Sequence, residues 1–109
     1  MASTAERILC AVIDRDGTIF RSIENSAESF HALIGDCFDI GTPFPSYDPD
    51  LIAICGDDAF FTSDYTFTGE TQPWFGTVIF ARRKGCDTTA LSIGDIAFLS
   101  YLRKRGFLP

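Results

Sequence analysis

The residues best equipped for chemistry are the carboxylates of Asp14-Arg15-Asp16-Gly17-Thr18, which follow the apolar run Ile8 to Ile13. Two carboxylates one residue apart concentrate negative charge beside Gly17, in what also reads as a turn sequence. Gly56-Asp57-Asp58 offers a second acidic motif downstream. The other candidate ligands are dispersed. Cys10, Cys37, Cys55 and Cys86 form no C-x-x-C pair, so reduced, buried thiols are expected rather than a metal site or disulfides. The single histidine, His31, is expected on the surface and not at a metal with Cys37. Gly-x-Gly-x-x-Gly, Walker-type loops and G-x-S-x-G are absent, and no cofactor or metal is expected.

Charge is unevenly placed. The chain has 109 residues, 15 acidic and 9 basic, for a net charge of -6. From Ser22 to Ala81 there are ten acids and no base, a window of -10, while the remaining residues carry five acids and nine bases, or +4. An acidic body of this kind argues against direct binding to nucleic acid or to anionic membranes, which require a basic footprint. Asp48, Asp50, Asp57, Asp58, Asp64 and Glu70 are interleaved with aromatics: Phe60 and Phe67 fall among them, and Tyr47, Phe61, Tyr65 and Trp74 make ten with the acids. Aromatic side chains anchor interfaces and carboxylates steer toward cations, so these ten residues are the expected binding patch for a basic partner surface. Six of the nine bases fall in Arg82-Arg83-Lys84 and Arg103-Lys104-Arg105. The second triplet suits the last turn of a helix, where cations oppose the dipole.

The elements that must position these groups follow from periodicity. Ile8 to Ile13 and Thr18 to Ile23 predict a hairpin across Asp14-Arg15-Asp16-Gly17, with the first strand inside the sheet because both its faces are apolar. Asn25 or Ser26 caps a helix whose Ala27, Phe30, Leu33 and Ile34 share one face, and Gly35 ends it. Asp36 to Ile40 reads as a short strand, Gly41 to Asp50 as a proline-fixed loop, and Leu51 to Cys55 as a strong strand. Ala59 to Thr62 is expected to return antiparallel, Ser63 to Pro73 to be loop, and Trp74 to Ala81 to be a strand that stops at the arginines. Ser92, with Asp95 three residues on, caps a final helix that Gly106 stops. The expectation is one α+β domain over residues 1–109: a mostly antiparallel sheet with two short helices, in the order ββαβββα. No apolar run is long enough for a membrane span, and the first residues, Met1 to Arg7, lack the pattern of a secretory leader, so a cytoplasmic protein is expected.

Val12-Ile13-Asp14-Arg15-Asp16-Gly17-Thr18 resembles the D-x-D-G-T motif of haloacid-dehalogenase-type phosphotransferases. That resemblance implies Asp14 as nucleophile, Asp16 as acid/base, Asp58 as a ligand to Mg²⁺, and a parallel sheet. The absence of Lys and Arg from Ser22 to Ala81, and a strand directly after Gly17, favour a plain hairpin turn instead. A broader resemblance runs through the hairpin, the Ile23 to Gly35 helix, Leu51 to Asp58, Phe75 to Phe80 and the Leu91 to Leu99 helix. In that order these segments resemble a family of small bacterial proteins of unknown function, typical of phages, plasmids and conjugative elements. Where members carry an Asn-rich segment, this chain has Thr62 to Gln72, rich in Thr and aromatics. The resemblance carries no catalytic residue. Taken with the -10 window, it leads to the expectation of a non-enzymatic accessory protein that binds a host or element-encoded protein. The most concrete form is an inhibitor of a nucleic-acid-handling defence system, of anti-CRISPR or anti-restriction type, seated on its DNA-binding surface. A structural homo-oligomer built on Trp74 is the other non-enzymatic expectation.

Overall fold

A computed structural model of the chain describes residues 6–35 and 37–109; the leader reading on residues 1–5 and the expected strand start at Asp36 lie outside the described residues. The elements are β1 (Arg7–Asp14), β2 (Gly17–Glu24), α1 (Ala27–Ile34), β3 (Phe38–Gly41), β4 (Leu51–Gly56), α2 (Ala59–Thr62), β5 (Tyr65–Thr68), β6 (Pro73–Phe75), β7 (Val78–Lys84), β8 (Asp87–Thr89) and α3 (Ile93–Lys104). The main sheet runs β2-β1-β7-β4-β3, antiparallel throughout, with β8 paired to β7; β5 and β6 form a separate hairpin. This is the α+β class that the sequence implies.

Side chains alternate across a strand, so each central strand feeds two cores. From β1, β4 and β7, the residues Ala11, Ile13, Leu51, Ala53, Val78 and Phe80 face one core, closed by α3, the β5–β6 hairpin and Phe44. Ile8, Cys10, Ile52, Ile54, Ile79 and Ala81 face the other, under Phe30 of α1. The turn at Arg15-Asp16 places no residue but Gly17 at positive φ (152°), and Asp14 Oδ1 accepts the Asp16 N–H at 2.8 Å. Ser26, not Asn25, caps α1 by accepting the Ser29 N–H.

Four local expectations fail for physical reasons. Ala59 to Thr62 is the helical turn α2, because β3 and β7 already occupy both edges of β4 and leave a returning strand nothing to pair with. The Ser63 to Pro73 loop contains β5, whose alternation is hidden by a register shift between Tyr65 and Phe67. Trp74 to Ala81 is two strands of different sheets, divided at Gly76, whose φ of 72° turns the chain. The arginines do not stop β7: it continues to Lys84, where the chain turns into β8.

Continuing β7 has a structural result. The same alternation that directs Val78 and Phe80 toward α3 directs Arg82 there. Its Nε and Nη2 donate to Asp95 Oδ2 at 2.8 Å and Oδ1 at 2.6 Å. Asp95 is fully buried and also accepts the Ser92 N–H at 2.9 Å, closing the capping box, and the Tyr47 hydroxyl at 2.9 Å. Burial alone would raise the Asp95 pKa, but the Arg82 guanidinium and these donors outweigh it and hold the carboxyl down to about 2. Arg82 Nη2 also meets Asp48 at 3.0 Å, and Tyr47 stacks on Phe98 at 4.0 Å between centroids.

Asp95 thus titrates below the ordinary carboxylate range in the folded chain. Its stabilising contribution is complete above about pH 4 and fades as pH falls toward 2, because the unfolded state takes up the proton first. Urea unfolding should show Asp95→Ala costing on the order of 3 kcal/mol at neutral pH, since it leaves Arg82 without its main partner. Asp95→Asn should flatten the acid limb of stability, and an unchanged limb would refute this account.

Candidate acidic and aromatic groove

The end of β4 turns at Asp57 and Asp58 into α2, and α2 lies against the β5–β6 hairpin. This places Phe60 edge-on to Phe61 and to Phe75, each at 5.1 Å between centroids, and Tyr65 edge-on to Phe75 at 6.1 Å. The rings are in solvent: Phe61 is 83% exposed, Phe60 64% and Tyr65 54%. Scattered exposed apolar residues are ordinary, but these three rings, linked in a chain of contacts through Phe75, form a patch.

Beside the patch, an open groove of about 470 Å³ runs between β3 and β6. Asp39, Cys55 and Asp57 stand on its sheet side, and Phe60, Trp74 and Phe75 on the other. No lysine, arginine or histidine lines it, and Asp39, Asp57 and Asp58 make no ion pair among the described residues. Burial first, and then the negative charges of Asp39 and Asp57, raise the Cys55 thiol above its ordinary range. A thiol held neutral is neither a nucleophile nor a ready metal ligand. The Cys10 thiol, buried in the core, is pushed up to about 11.

Of the ten expected binding residues, four gather here in the exposed position foreseen: Asp57, Asp58, Phe61 and Tyr65. The others are engaged elsewhere. Trp74 is 5% exposed and belongs to the core, stacked on Phe67; it backs the groove wall but offers little free surface to a partner or a second copy. Asp48 and Tyr47 are held at Arg82 and Asp95, and the backbone N–H of Asp50 and then Arg82 hold the Asp48 carboxyl below its usual range. Asp50 faces Arg83 at 3.5 Å and Asp64 meets Arg15 at 2.6 Å. Glu70 is a clamp, accepting the Ser46 N–H at 2.9 Å and its hydroxyl at 2.7 Å, which fastens the 43–46 loop to the β5–β6 hairpin. The expected undivided acidic surface is therefore partly ion-paired within the fold, while Asp39, Asp57 and Asp58 stand at the groove without an ion pair among the described residues.

Asp39, Phe60 and Phe75 complete the site although none was among the ten. Asp39 lies in a strand, outside the loops whose acids make up the expected patch. The available signal was its exposed place on a short strand, paired opposite Cys55, two residues before Asp57.

The Asp14 motif forms an antiparallel hairpin whose strands pair from Asp14↔Gly17 to Arg7↔Glu24, not the strand-loop-helix of a parallel sheet. Among the described residues no group of three or more His, Cys, Asp or Glu is arranged to hold a metal ion. His31 is exposed on α1, as expected, but the cysteines divide: Cys10 is buried and Cys55 half-buried, whereas Cys37 and Cys86 are exposed rather than buried. No described helix is long and apolar enough to cross a membrane. Comparison with protein-family models, curated proteins and solved structures gives no match.

The division of the aromatics into core and surface is testable by urea unfolding. Trp74→Ala should cost about 3 to 5 kcal/mol, as for other buried aromatics. Phe61→Ala should stay within about 0.5 kcal/mol of the parent chain; an equal loss in both variants would overturn the assignment of Phe61 to a free surface.

Proposed function

We propose that the protein is a non-enzymatic binding protein that docks its aromatic patch and acidic groove onto a basic surface of a host or element-encoded protein. The observation that carries this reading is the contact cluster of Phe60, Phe61, Tyr65 and Phe75 beside Asp39, Asp57 and Asp58, with no cation in the groove. Rigid aromatic rings bury large area at small entropic cost, while unpaired carboxylates accelerate encounter with cations and penalise anionic competitors. Cationic surfaces of this sort are characteristic of proteins that handle nucleic acid. The most concrete form of the reading is an inhibitor that competes with DNA for a defence nuclease of CRISPR or restriction type. No cofactor enters it, and the partner contacts only protein.

The test is affinity capture from a cytoplasmic extract of the host at low and at high salt, with identification of what is retained. A basic, nucleic-acid-handling partner should be retained at low salt, released as salt screens charges beyond about 8 Å, and displaced by added DNA. Asp57→Asn/Asp58→Asn should weaken capture and reduce its salt dependence, and Phe61→Ala should weaken capture without altering the salt dependence. Partners that are acidic, or retention indifferent to salt and to all these substitutions, would exclude the reading.

A further inference from the structure

We infer that the partner is engaged by strand addition: the open edge of β3 takes up an extended segment in which basic and apolar side chains alternate. This rests on the docking role proposed above and assigns its recognition element. β3 ends the sheet order, with no strand beyond it among the described residues. Its backbone is directed outward at defined positions. The Asp57 N–H donates to the Cys37 carbonyl at 3.0 Å, and bonded pairs alternate in an antiparallel ladder, so Asp39 opposite Cys55 and Gly41 opposite Ala53 are the bonded pairs. The N–H and C=O groups of Phe38 and Ile40 therefore point away from β4, a short row of donors and acceptors suited to one added strand.

The two faces flanking this edge differ in chemistry, and that difference specifies the segment. On the face of Asp39, an added strand directs every second side chain into the groove, toward two carboxylates and the rings of Phe60 and Phe75. Lysine or arginine fits there by charge and by cation–π attraction. On the face of Phe38 and the 54% exposed Ile40, the intervening side chains meet a shallow cavity of about 510 Å³ whose apolar wall is Ala27, Ala32 and Phe38, with Glu28, His31 and Cys37 completing its lining. Aliphatic residues fit there. A second copy of this chain is a poor occupant, since edge-to-edge pairing of two β3 strands brings Asp39 carboxylates together across the ladder.

The experiment titrates the full-length isotope-labelled chain with a short peptide of alternating Lys and Val, and with the same peptide N-methylated at alternate backbone amides. Saturable binding below ~1 mM is expected, with the largest amide shifts at Phe38 and Ile40, and at least about tenfold weaker binding for the N-methylated peptide. Ile40→Pro removes an outward N–H but no bond to β4, so it should preserve the fold and lower affinity by about tenfold or more. Asp39→Asn and Asp57→Asn should each weaken binding and reduce its salt dependence. Strand addition is overturned by an absence of saturable binding, by binding that N-methylation leaves untouched, or by self-association of the chain through β3 in place of peptide uptake. Should the peptide fail while host capture remains sensitive to Phe61→Ala, only strand addition falls; loss of both removes the docking role as well.

Discussion

The buried pair of Arg82 and Asp95 organises the surface as well as the core. It joins the centre strand to the final helix, and through Tyr47 and Asp48 it fastens the 44–50 loop over the same core. A buried ion pair is rarely a large net source of stability, because desolvation offsets most of the attraction. Its effect here is on specificity of arrangement. Arg82 draws Asp48 and Asp95 inward and Arg83 draws Asp50, so the acids of the loop and of α3 are ion-paired in place, two arginines among three carboxylates. Asp39, Asp57 and Asp58 make no ion pair with an arginine among the described residues.

That partition leaves one small acidic group beside exposed rings. The -10 window spans more than half of the residues, yet the groove holds only a few of its carboxylates, set against exposed rings. Aromatic packing sorts residues of like type in the same way. Phe44, Phe67, Phe80 and Trp74 fill the interior in stacked or tilted contact, whereas Phe60 and Phe61 project from the four-residue α2, which is too short to bury both.

Where local signals are strong, the fold is legible in the chain itself. The β1–β2 hairpin, the position of β1 inside the sheet, the capping box at Ser92 and Asp95, and the stop at Gly106 all follow from residue type and spacing, because each is decided within a few positions. What escapes such reading is decided over distance. Whether Ala59 to Thr62 extends depends on which edges of β4 are taken, and whether Trp74 is buried depends on the close approach of its ring to Gly41. A Cβ at Gly41 would lie 2.7 Å from Trp74 Cη2, so the absence of a side chain on β3 admits the indole to the core. The site was half legible for the same reason. Exposure of Asp57 and Phe61 follows from a turn, but the pairing of Asp48, Asp50 and Asp64 with distant arginines leaves no trace in local sequence.

The place of β7 in the sheet carries a consequence for how the chain assembles. β7 lies between β1 and β4, although β4 precedes it by more than twenty residues and β1 by more than sixty. Until Val78–Lys84 is available, the β1–β2 hairpin and the β3–β4 pair share no backbone hydrogen bond, and each presents an unfilled edge. The last third of the polypeptide thus acts as the keystone of the first two: one sheet forms from the two strand pairs only through β7.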